Sequence, residues 1–298
     1  MESIVVGIGE ILWDCFADTR SPGGAPANVA YHASQLGHRG VVVSRVGCDD
    51  AGEALVDYLE TRGLDVRYIQ RDSERPTGWV SVDSEDSARP VFTIHEGVAW
   101  DRLRFSTEFS ALMGSASAVC FGTLAQRDST SRSAIRRCLD AAGDALIVYD
   151  VNLRQNWYAR EWVEWSLSAS RVVKLNEDEV SAVGDLLGTS ATRLSEFANF
   201  LRERYDVELT CVTRAERGCV LLGPDESVDV AGKAVEVIDA VGAGDAFTAG
   251  LISGFLRDWP LERIARFANE LGALVARCPG AMPALGRDID ALLAAFDS

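Results

Sequence analysis

Short, nearly continuous apolar runs alternate with longer stretches of mixed polarity along most of the chain. The runs are four to six residues long and rich in β-branched residues, which is typical of strands buried on both faces of a parallel sheet. The predicted strands are Ile4–Ile8, Val41–Val46, Ala118–Phe121, Leu146–Asp150, Arg171–Leu175, Leu209–Thr213 and Cys219–Leu222. The predicted helices are Ala25–Leu36, Ala51–Arg62, Ser129–Ala142, Glu161–Ala169, Leu194–Tyr205, Gly244–Arg257 and Leu261–Arg277. This alternation predicts an α/β sandwich with right-handed crossovers.

Residues 64–100 interrupt the alternation, because three strand-like runs follow one another there with no helix between them. The runs are Val66–Gln70, Gly78–Val82 and Val91–His95. The polar stretch Asp83–Arg89 is typical of a hairpin turn, and so small a β segment cannot form its own core. We therefore expect one domain over residues 1–298, with a β lid from segments at about 11–22 and 64–100. The lid would lie against the main domain or pair with a second chain.

The composition excludes several classes of protein. The chain has 298 residues, 47% apolar and 25% charged, as in ordinary globular proteins. A net charge of −16 argues against nucleic acid as a partner, because that binding needs clustered cations. The seven scattered cysteines form no CxxC pair and the three histidines lack ligand spacing, so we expect reduced thiols, a cytoplasmic protein and no zinc site. No apolar run reaches the roughly 18–20 residues that span a bilayer, so no membrane partner is expected.

The strongest chemical signal is the segment from Asp239 to Phe247, which reads Asp-Ala-Val-Gly-Ala-Gly-Asp-Ala-Phe. Its small residues open a predicted helix, whose free amides and positive end favour an anion. Asp245 would serve as a helix cap, but a cap does not need two glycines, each of which costs up to about 1 kcal/mol against Ala. The segment therefore predicts an anion site faced by an acid that can accept a proton.

This segment resembles the C-terminal signature of the ribokinase-like (PfkB) carbohydrate kinases, D-T-x-G-A-G-D. The segment Gly23-Gly24-Ala25-Pro26-Ala27-Asn28-Val29-Ala30, followed by Leu36-Gly37, resembles the family's di-glycine signature. Further matches resemble its fructokinase branch: Gly9-Glu10-Ile11-Leu12-Trp13-Asp14, Ser44-Arg45-Val46-Gly47, Pro76-Thr77-Gly78, Ala99-Trp100-Asp101 and Asp150-Val151-Asn152-Leu153-Arg154. The resemblance covers nearly the whole chain. It implies a Rossmann-type α/β/α sandwich with a mostly parallel central sheet and a small β-sheet lid.

The resemblance implies an ATP-dependent sugar kinase, most closely a fructokinase that makes fructose 6-phosphate. Asp245 would be the general base that takes the proton of the attacking hydroxyl. The amides of Gly242, Ala243 and Gly244 would form an anion hole for the transferred phosphoryl group. Arg154 would be a second clamp, because its planar fork matches phosphate oxygens.

The resemblance also implies a sugar site, since carboxylates and amides can each bind two vicinal hydroxyls. The residues implied there are Asp14, Gly24, Asn28, Asn152, Trp79 and Phe92. The two aromatic residues would cover the apolar face of the sugar, and lid packing or a dimer seam explains them equally well. A homodimer through the lid is thus one expectation.

For the nucleotide, Asn176 to Glu179 resembles the family's N-x-x-E, which would organise Mg²⁺ and phosphates through water. The implied nucleotide-binding residues are Asn176, Glu179, Thr213, Gly218, Gly242, Gly244, Asn269 and Gly272. The chain departs from the family at two positions. Ala215 replaces the first Gly of the T-x-G-x-x-G loop, and Ala240 replaces a Thr beside the anion hole. The resemblance also allows a K⁺ site near Asp239, Val241 and Gly280.

Other functions than that of a fructokinase remain open. A 2-keto-3-deoxygluconate kinase or a ribokinase would share the mechanism, and a non-catalytic sugar- or nucleotide-binding protein would share the fold. A dinucleotide-dependent dehydrogenase, suggested by Gly7-Ile8-Gly9, is excluded because Leu12 stands where the third glycine is required.

Overall fold

The computed structural model describes residues 2–16, 18–83 and 91–297. Its strands are β1 (Ile4–Ile8), β2 (Leu12–Cys15), β3 (Arg20–Gly23), β4 (Arg39–Gly47), β5 (Ile69–Asp72), β6 (Gly78–Asp83), β7 (Val91–Ile94), β8 (Ala118–Phe121), β9 (Leu146–Asp150), β10 (Val172–Asn176), β11 (Leu209–Thr213), β12 (Cys219–Leu222) and β13 (Ser227–Val230). Its α-helices are α1 (Ala25–Gln35), α2 (Asp50–Thr61), α3 (Thr107–Met113), α4 (Ser129–Asp140), α5 (Arg160–Ser168), α6 (Glu177–Leu187), α7 (Leu194–Tyr205), α8 (Ala243–Leu256), α9 (Leu261–Ala276) and α10 (Arg287–Phe296).

A nine-stranded sheet in the order β13-β12-β11-β10-β9-β8-β1-β4-β5 forms the centre of the molecule. The strands from β11 through β5 pair in parallel, and β12 and β13 add an antiparallel edge. Helices cover both faces. Val5 packs in a cluster with residues of α1, α8 and α9, whereas Val6 and Ile8 pack in another with residues of α3 to α7. The predicted α/β sandwich is confirmed, and burial on both faces explains why its strands are apolar throughout.

A second sheet in the order β3-β2-β6-β7 lies outside the central one. Its strands β2 and β3 fall in the first predicted lid segment, and β6 and β7 fall in the second. Strands β6 and β7 pair antiparallel, with Val80 opposite Ile94. The predicted hairpin turn Asp83–Arg89 lies outside the described residues beyond Asp83.

The prediction that the lid begins near residue 64 is wrong. Strand β5 pairs in parallel with β4, from Ser44↔Ile69 to Gly47↔Asp72, and so extends the central sheet. Helix α2 is the crossover between the two strands, and Arg45 Nε lies 2.7 Å from an Asp72 carboxylate oxygen. Because a parallel pair needs such a crossover, β5 belongs to a βαβ unit and not to the run of lid strands that follows.

In the described part of the chain, no helix is long and apolar enough to cross a membrane. All seven cysteines are free thiols.

Candidate active site

The carboxyl ends of β9 and β10 meet the N-terminus of α8 at one edge of the central sheet. Asp150 is the last residue of β9, Asn176 is the last residue of β10, and Asp245 lies in the first turn of α8. Thr248, also in α8, places its hydroxyl 2.8 Å from Asp150 Oδ2. This is the edge where open α/β sheets bind ligands, so the predicted base lies where a ligand can reach it.

Asn28 contacts the predicted base directly. Its Nδ2 donates to Asp245 Oδ2 over 2.6 Å, across 217 positions of sequence. Asn28 is buried, and its Oδ1 has no hydrogen-bond partner in the described residues. The structure therefore joins a residue implied at the sugar to the residue implied as the base.

The surroundings of Asp245 favour a carboxylate that accepts protons near neutral pH. The pKa of Asp245 is raised to about 6, mainly by burial and next by the nearby Asp150 carboxylate, against the Asn28 hydrogen bond and the charges of Lys174 and Arg154, which lower it. A general base works best when its pKa lies near the working pH. Asp245 meets that requirement.

The three residues predicted to form the anion hole lie at the start of α8. Gly242 has φ +81°, and a Cβ there would lie 2.6 Å from Ala281 Cα, so only glycine fits. The Ala243 amide donates to the Ala240 carbonyl over a long 3.3 Å, a turn that forms without the Thr hydroxyl of the family pattern. The amides of Gly242 and Gly244 make no hydrogen bond within the described chain. Two of the three predicted donors are therefore free for an anion.

The di-glycine segment brings the implied sugar residues together. Gly24 has φ +124°, and a Cβ there would lie 2.5 Å from the Glu10 carbonyl oxygen. A Cβ on Gly23 would lie 2.6 Å from Asp14 Oδ2. The missing side chains thus allow α1 to begin directly against β2. Burial raises the pKa of Asp14, and the Arg154 charge lowers it.

The loop after β9 carries Asn152 and Arg154. Asn152 has φ +41°, a left-handed conformation that amide side chains tolerate better than most. Arg154 is exposed, and its charge lowers the pKa values of Glu10, Asp14 and Asp245. One arginine therefore lies close enough to three carboxyl groups to favour their charged forms.

Sequence reasoning assigned no role to two buried charged residues. Glu10 is 4% exposed, its Oε2 has no partner in the described residues, and burial raises its pKa to about 7. Lys174 is 8% exposed and binds both carboxylate oxygens of Asp150. The sequence could have pointed to Glu10 and Lys174, because each is a charged residue within or just after an apolar strand.

Trp79 and Phe92, the two aromatic residues implied at the sugar site, lie in the lid strands β6 and β7. Trp79 is half-buried and stacks on His95 with 4.5 Å between ring centroids. Phe92 is 49% exposed, and its carbonyl oxygen accepts a hydrogen bond from Gln155. Since Gln155 follows Arg154, the lid is connected to the loop that carries the predicted clamp.

Asn176 and Glu179 form a capping box at the start of α6. Asn176 Oδ1 accepts from the Glu179 amide, and Glu179 Oε2 accepts from the Asn176 amide, both over 2.8 Å. Glu179 Oε1 accepts from the Leu153 amide, also over 2.8 Å. Each carboxylate oxygen keeps a second lone pair, and the described residues contain no cluster of three metal-ligating side chains. The donor set therefore fits a hydrated Mg²⁺ contacted through water, as predicted, and not a protein cage.

The implied nucleotide loop follows β11. Ala215, which replaces the family glycine, has φ +50°, and Gly218 has φ +91°. A Cβ on Gly218 would lie 2.0 Å from the Val230 carbonyl oxygen. Thr213 Oγ1 donates to the Leu175 carbonyl over 3.3 Å. Ala215 thus adopts a conformation that glycine adopts freely, and alanine does so with strain.

Asn269 and Gly272 lie on α9. A Cβ on Gly272 would lie 3.0 Å from the Ala243 carbonyl oxygen, so this glycine lets α9 pack against the start of α8. Asn269 Nδ2 donates to the Val230 carbonyl over 3.4 Å. Gly272 thus lies against the segment predicted to form the anion hole, and the structure gives it a packing contact there.

The residues implied for K⁺ are brought together by Asp239. Its Oδ1 accepts from the Val241 amide over 3.0 Å, and its Oδ2 accepts from the Gly280 amide over 2.9 Å. This contact joins the segment before α8 to the loop after α9.

Comparison with known proteins finds a family and relatives that match most of the chain. The model of the pfkB family of carbohydrate kinases matches residues 7–286. The chain is 31% identical to a protein of Pyrococcus horikoshii named as a putative sugar kinase, over 93% of this chain and 91% of the relative. The crystal structure of that uncharacterized sugar kinase superposes with a TM-score of 0.83, at 29% identity and 97% of each chain. This likeness confirms the predicted ribokinase-like fold.

Two relatives carry more specific names. The chain is 30% identical to a fructokinase of Escherichia coli, over 89% of this chain and 88% of the relative. A double-mutant fructokinase from Vibrio cholerae, solved with fructose, ADP and potassium ion bound, superposes with a TM-score of 0.80, at 25% identity and 98% of each chain.

Proposed function

The chain belongs to the pfkB family of carbohydrate kinases, and we propose that it transfers the γ-phosphate of ATP to the 6-hydroxyl of D-fructose. The protein is a phosphotransferase acting on a sugar hydroxyl. Its assignment to fructose is supported by the fructokinases among its relatives and by the predicted motifs of that branch. 2-Keto-3-deoxygluconate and ribose are the alternative acceptors.

The observation that carries the proposal is the placement of Asp245 beside free amides at the start of one helix, with Asn28 bonded to it. Asp245 would take the proton of the sugar hydroxyl as that oxygen attacks the γ-phosphorus. The bond from this phosphorus to the bridging oxygen breaks, and ADP leaves with that electron pair. The amides of Gly242 and Gly244 would stabilise the charge on the transferred group.

The sugar would bind between β2, the start of α1 and the loop after β9. Asp14 and Asn28 would accept and donate hydrogen bonds to its hydroxyls, with Asn152 beside them, and Gly24 leaves room for this approach. Phe92 shares a face of the lid with Asp14 and would exclude water when the lid closes over the sugar, whereas the strand register puts Trp79 on the opposite face. Water exclusion matters because water competes with the sugar for the phosphoryl group.

The nucleotide would bind along the other side of α8. Thr213, Gly218 and Asn269 would contact it, and Asn176 and Glu179 would hold waters of Mg²⁺, which would neutralise phosphate charge. The Asp239 cluster with Val241 and Gly280 would take K⁺. That proposal is supported by the Vibrio cholerae structure, which is described with bound potassium ion.

The test is ADP release with Mg·ATP across D-fructose, D-ribose, 2-keto-3-deoxygluconate, D-glucose and adenosine. We expect the highest kcat/KM on fructose. In the Asp245→Asn variant turnover should fall about 10²–10⁴-fold, because the base is lost, while ATP binding measured by calorimetry stays.

Two outcomes would change the proposal. Preference for another sugar, with the same loss in Asp245→Asn, would keep the base and replace the substrate. ATP binding with turnover on no sugar would favour a binding protein on this fold. K⁺ is tested in the same assay by replacing it with tetramethylammonium, and an unchanged rate would exclude the Asp239 site.

A further inference from the structure

Asp150 and Lys174 form a buried ion pair beneath the first turn of α8. Lys174 Nζ lies 3.0 Å and 3.1 Å from the two Asp150 oxygens, and the residues are opposite each other on β9 and β10. Lys174 is 8% exposed and Asp150 is 2% exposed. Apolar residues in place of such a pair are often as stable or more so. Stability alone therefore does not explain the pair.

Thr248 connects this pair to the helix that carries the base. Its hydroxyl lies 2.8 Å from Asp150 Oδ2 and 3.0 Å from the Gly244 carbonyl oxygen. Thr248 is fully buried and follows Asp245 by three residues. A Cβ on Gly244 would lie 3.4 Å from Lys174 Nζ. Both members of the pair therefore lie against the first turn of α8.

We propose that Asp150 is a positioning residue for the phosphoryl transfer: it holds the first turn of α8 through Thr248, and its charge keeps Asp245 able to accept a proton. The inference rests on the proposed function, in which Asp245 is the base. Lys174 has a complementary part, since an unpaired carboxylate beneath the anion hole would repel phosphates.

The charges around Asp245 agree with this role. The groups that face it are Asp150 on β9, Lys174 on β10, Arg154 in the loop after β9, Asn28 on α1 and Glu10 after β1. Burial makes the largest contribution to the raised pKa of Asp245, and the Asp150 carboxylate makes the next. Without the Asp150 charge, Lys174 would act on Asp245 unopposed. The pKa of Asp245 would then fall, so Asp245 would accept the hydroxyl proton less readily.

The experiment uses Asp150→Asn, which keeps the shape of the side chain and removes its charge. The Asp245 carboxyl is titrated by ¹³C NMR in the ligand-free protein, with Asp245→Asn giving the assignment. We expect the midpoint to fall by about one pH unit, and the acid limb of kcat/KM to fall with it. We expect kcat to fall about tenfold, with KM for sugar and ATP within about threefold of wild type, since the contacts to both ligands remain.

Asp72→Asn is the matched control, because it breaks another buried ion pair, with Arg45, on the far edge of the sheet. It should lower the melting temperature and leave the Asp245 titration unchanged. An unshifted midpoint in Asp150→Asn, or an equal shift in Asp72→Asn, would overturn the inference. The titration needs no sugar, so a protein without sugar turnover would count against the proposed function alone.

A second variant guards against a misfolded Asp150→Asn. Thr248→Val keeps both charges and removes the hydroxyl, so kcat should fall while the Asp245 midpoint stays in place, and Thr248→Ser should restore the rate. A wild-type kcat in Thr248→Val would overturn the positioning role.

Discussion

Glu10, two residues after β1, is deeply buried, and one of its carboxylate oxygens has no hydrogen-bond partner among the described residues. Its pKa is raised to about 7, mainly by burial with a smaller effect of the Asp245 charge, against the charges of Arg154 and Arg127, which lower it. When the pKa of an acid is raised in the folded state, ionisation of that acid destabilises the folded state. In the unfolded chain it loses its proton near its ordinary pKa of 4.5. Between these two values the folded protein binds more protons than the unfolded one, so the stability contributed by this group falls as pH rises.

We therefore predict that Glu10→Gln gains stability over wild type as pH rises from 4.5 to 8. A shift from 4.5 to about 7 corresponds to about 3 kcal/mol at most, reached above pH 7. Urea unfolding of both proteins at pH 4.5, 6 and 8 measures the difference. The comparison at pH 4.5 is the internal control, because the acid is then largely neutral in wild type as well. A difference that stays constant with pH would contradict the shift.

At the scale of elements, the sequence predicted what local patterns determine. The apolar runs gave the positions of β1, β8, β9 and β11, and glycine with small residues located the start of α8. Strand β5 was assigned to the wrong sheet, because its pairing depends on where α2 returns the chain. Lys174 was missed for the same reason, since its partner Asp150 lies on a neighbouring strand. The register between strands is a property of the fold and not of any single segment.

The loop after β11 offers a prediction at this scale. Ala215 has φ +50°, where alanine carries roughly 1–2 kcal/mol of strain that glycine avoids. Glycine also gains more entropy in the unfolded chain, which offsets part of that relief. We expect Ala215→Gly to stabilise the protein by about 0.5–1 kcal/mol in urea unfolding.

The matched control for the loop is Ala294→Gly on the exposed face of α10. There the same substitution should destabilise the protein by about 1 kcal/mol, because the residue is in a helix. If both variants are destabilised alike, the left-handed conformation of Ala215 carries no strain.

At the scale of the whole molecule, the second sheet is attached to the central domain through buried contacts. Arg127 lies between Trp100 and Trp157, with 4.0 Å and 4.9 Å from its guanidinium carbon to the ring centroids. It pairs with Asp101 over 2.8 Å and donates to the His95 carbonyl oxygen just after β7. One end of the lid is therefore fixed beside the active site, and a four-stranded sheet of this size relies on such packing for its stability.

The lid also exposes two large aromatic side chains, Phe16 at 41% and Phe92 at 49%. Single exposed apolar residues are ordinary, but two in one small lid favour association. We propose that two chains pair through their lids, and we expect light scattering to give twice the 32.2 kDa chain mass. The double variant that carries both Phe16→Ser and Phe92→Ser should be monomeric. Val237→Ser, which changes a 58% exposed residue outside the lid, should leave the dimer intact. A wild-type mass of one chain would exclude this pairing, and equal loss in both variants would exclude the lid as its site.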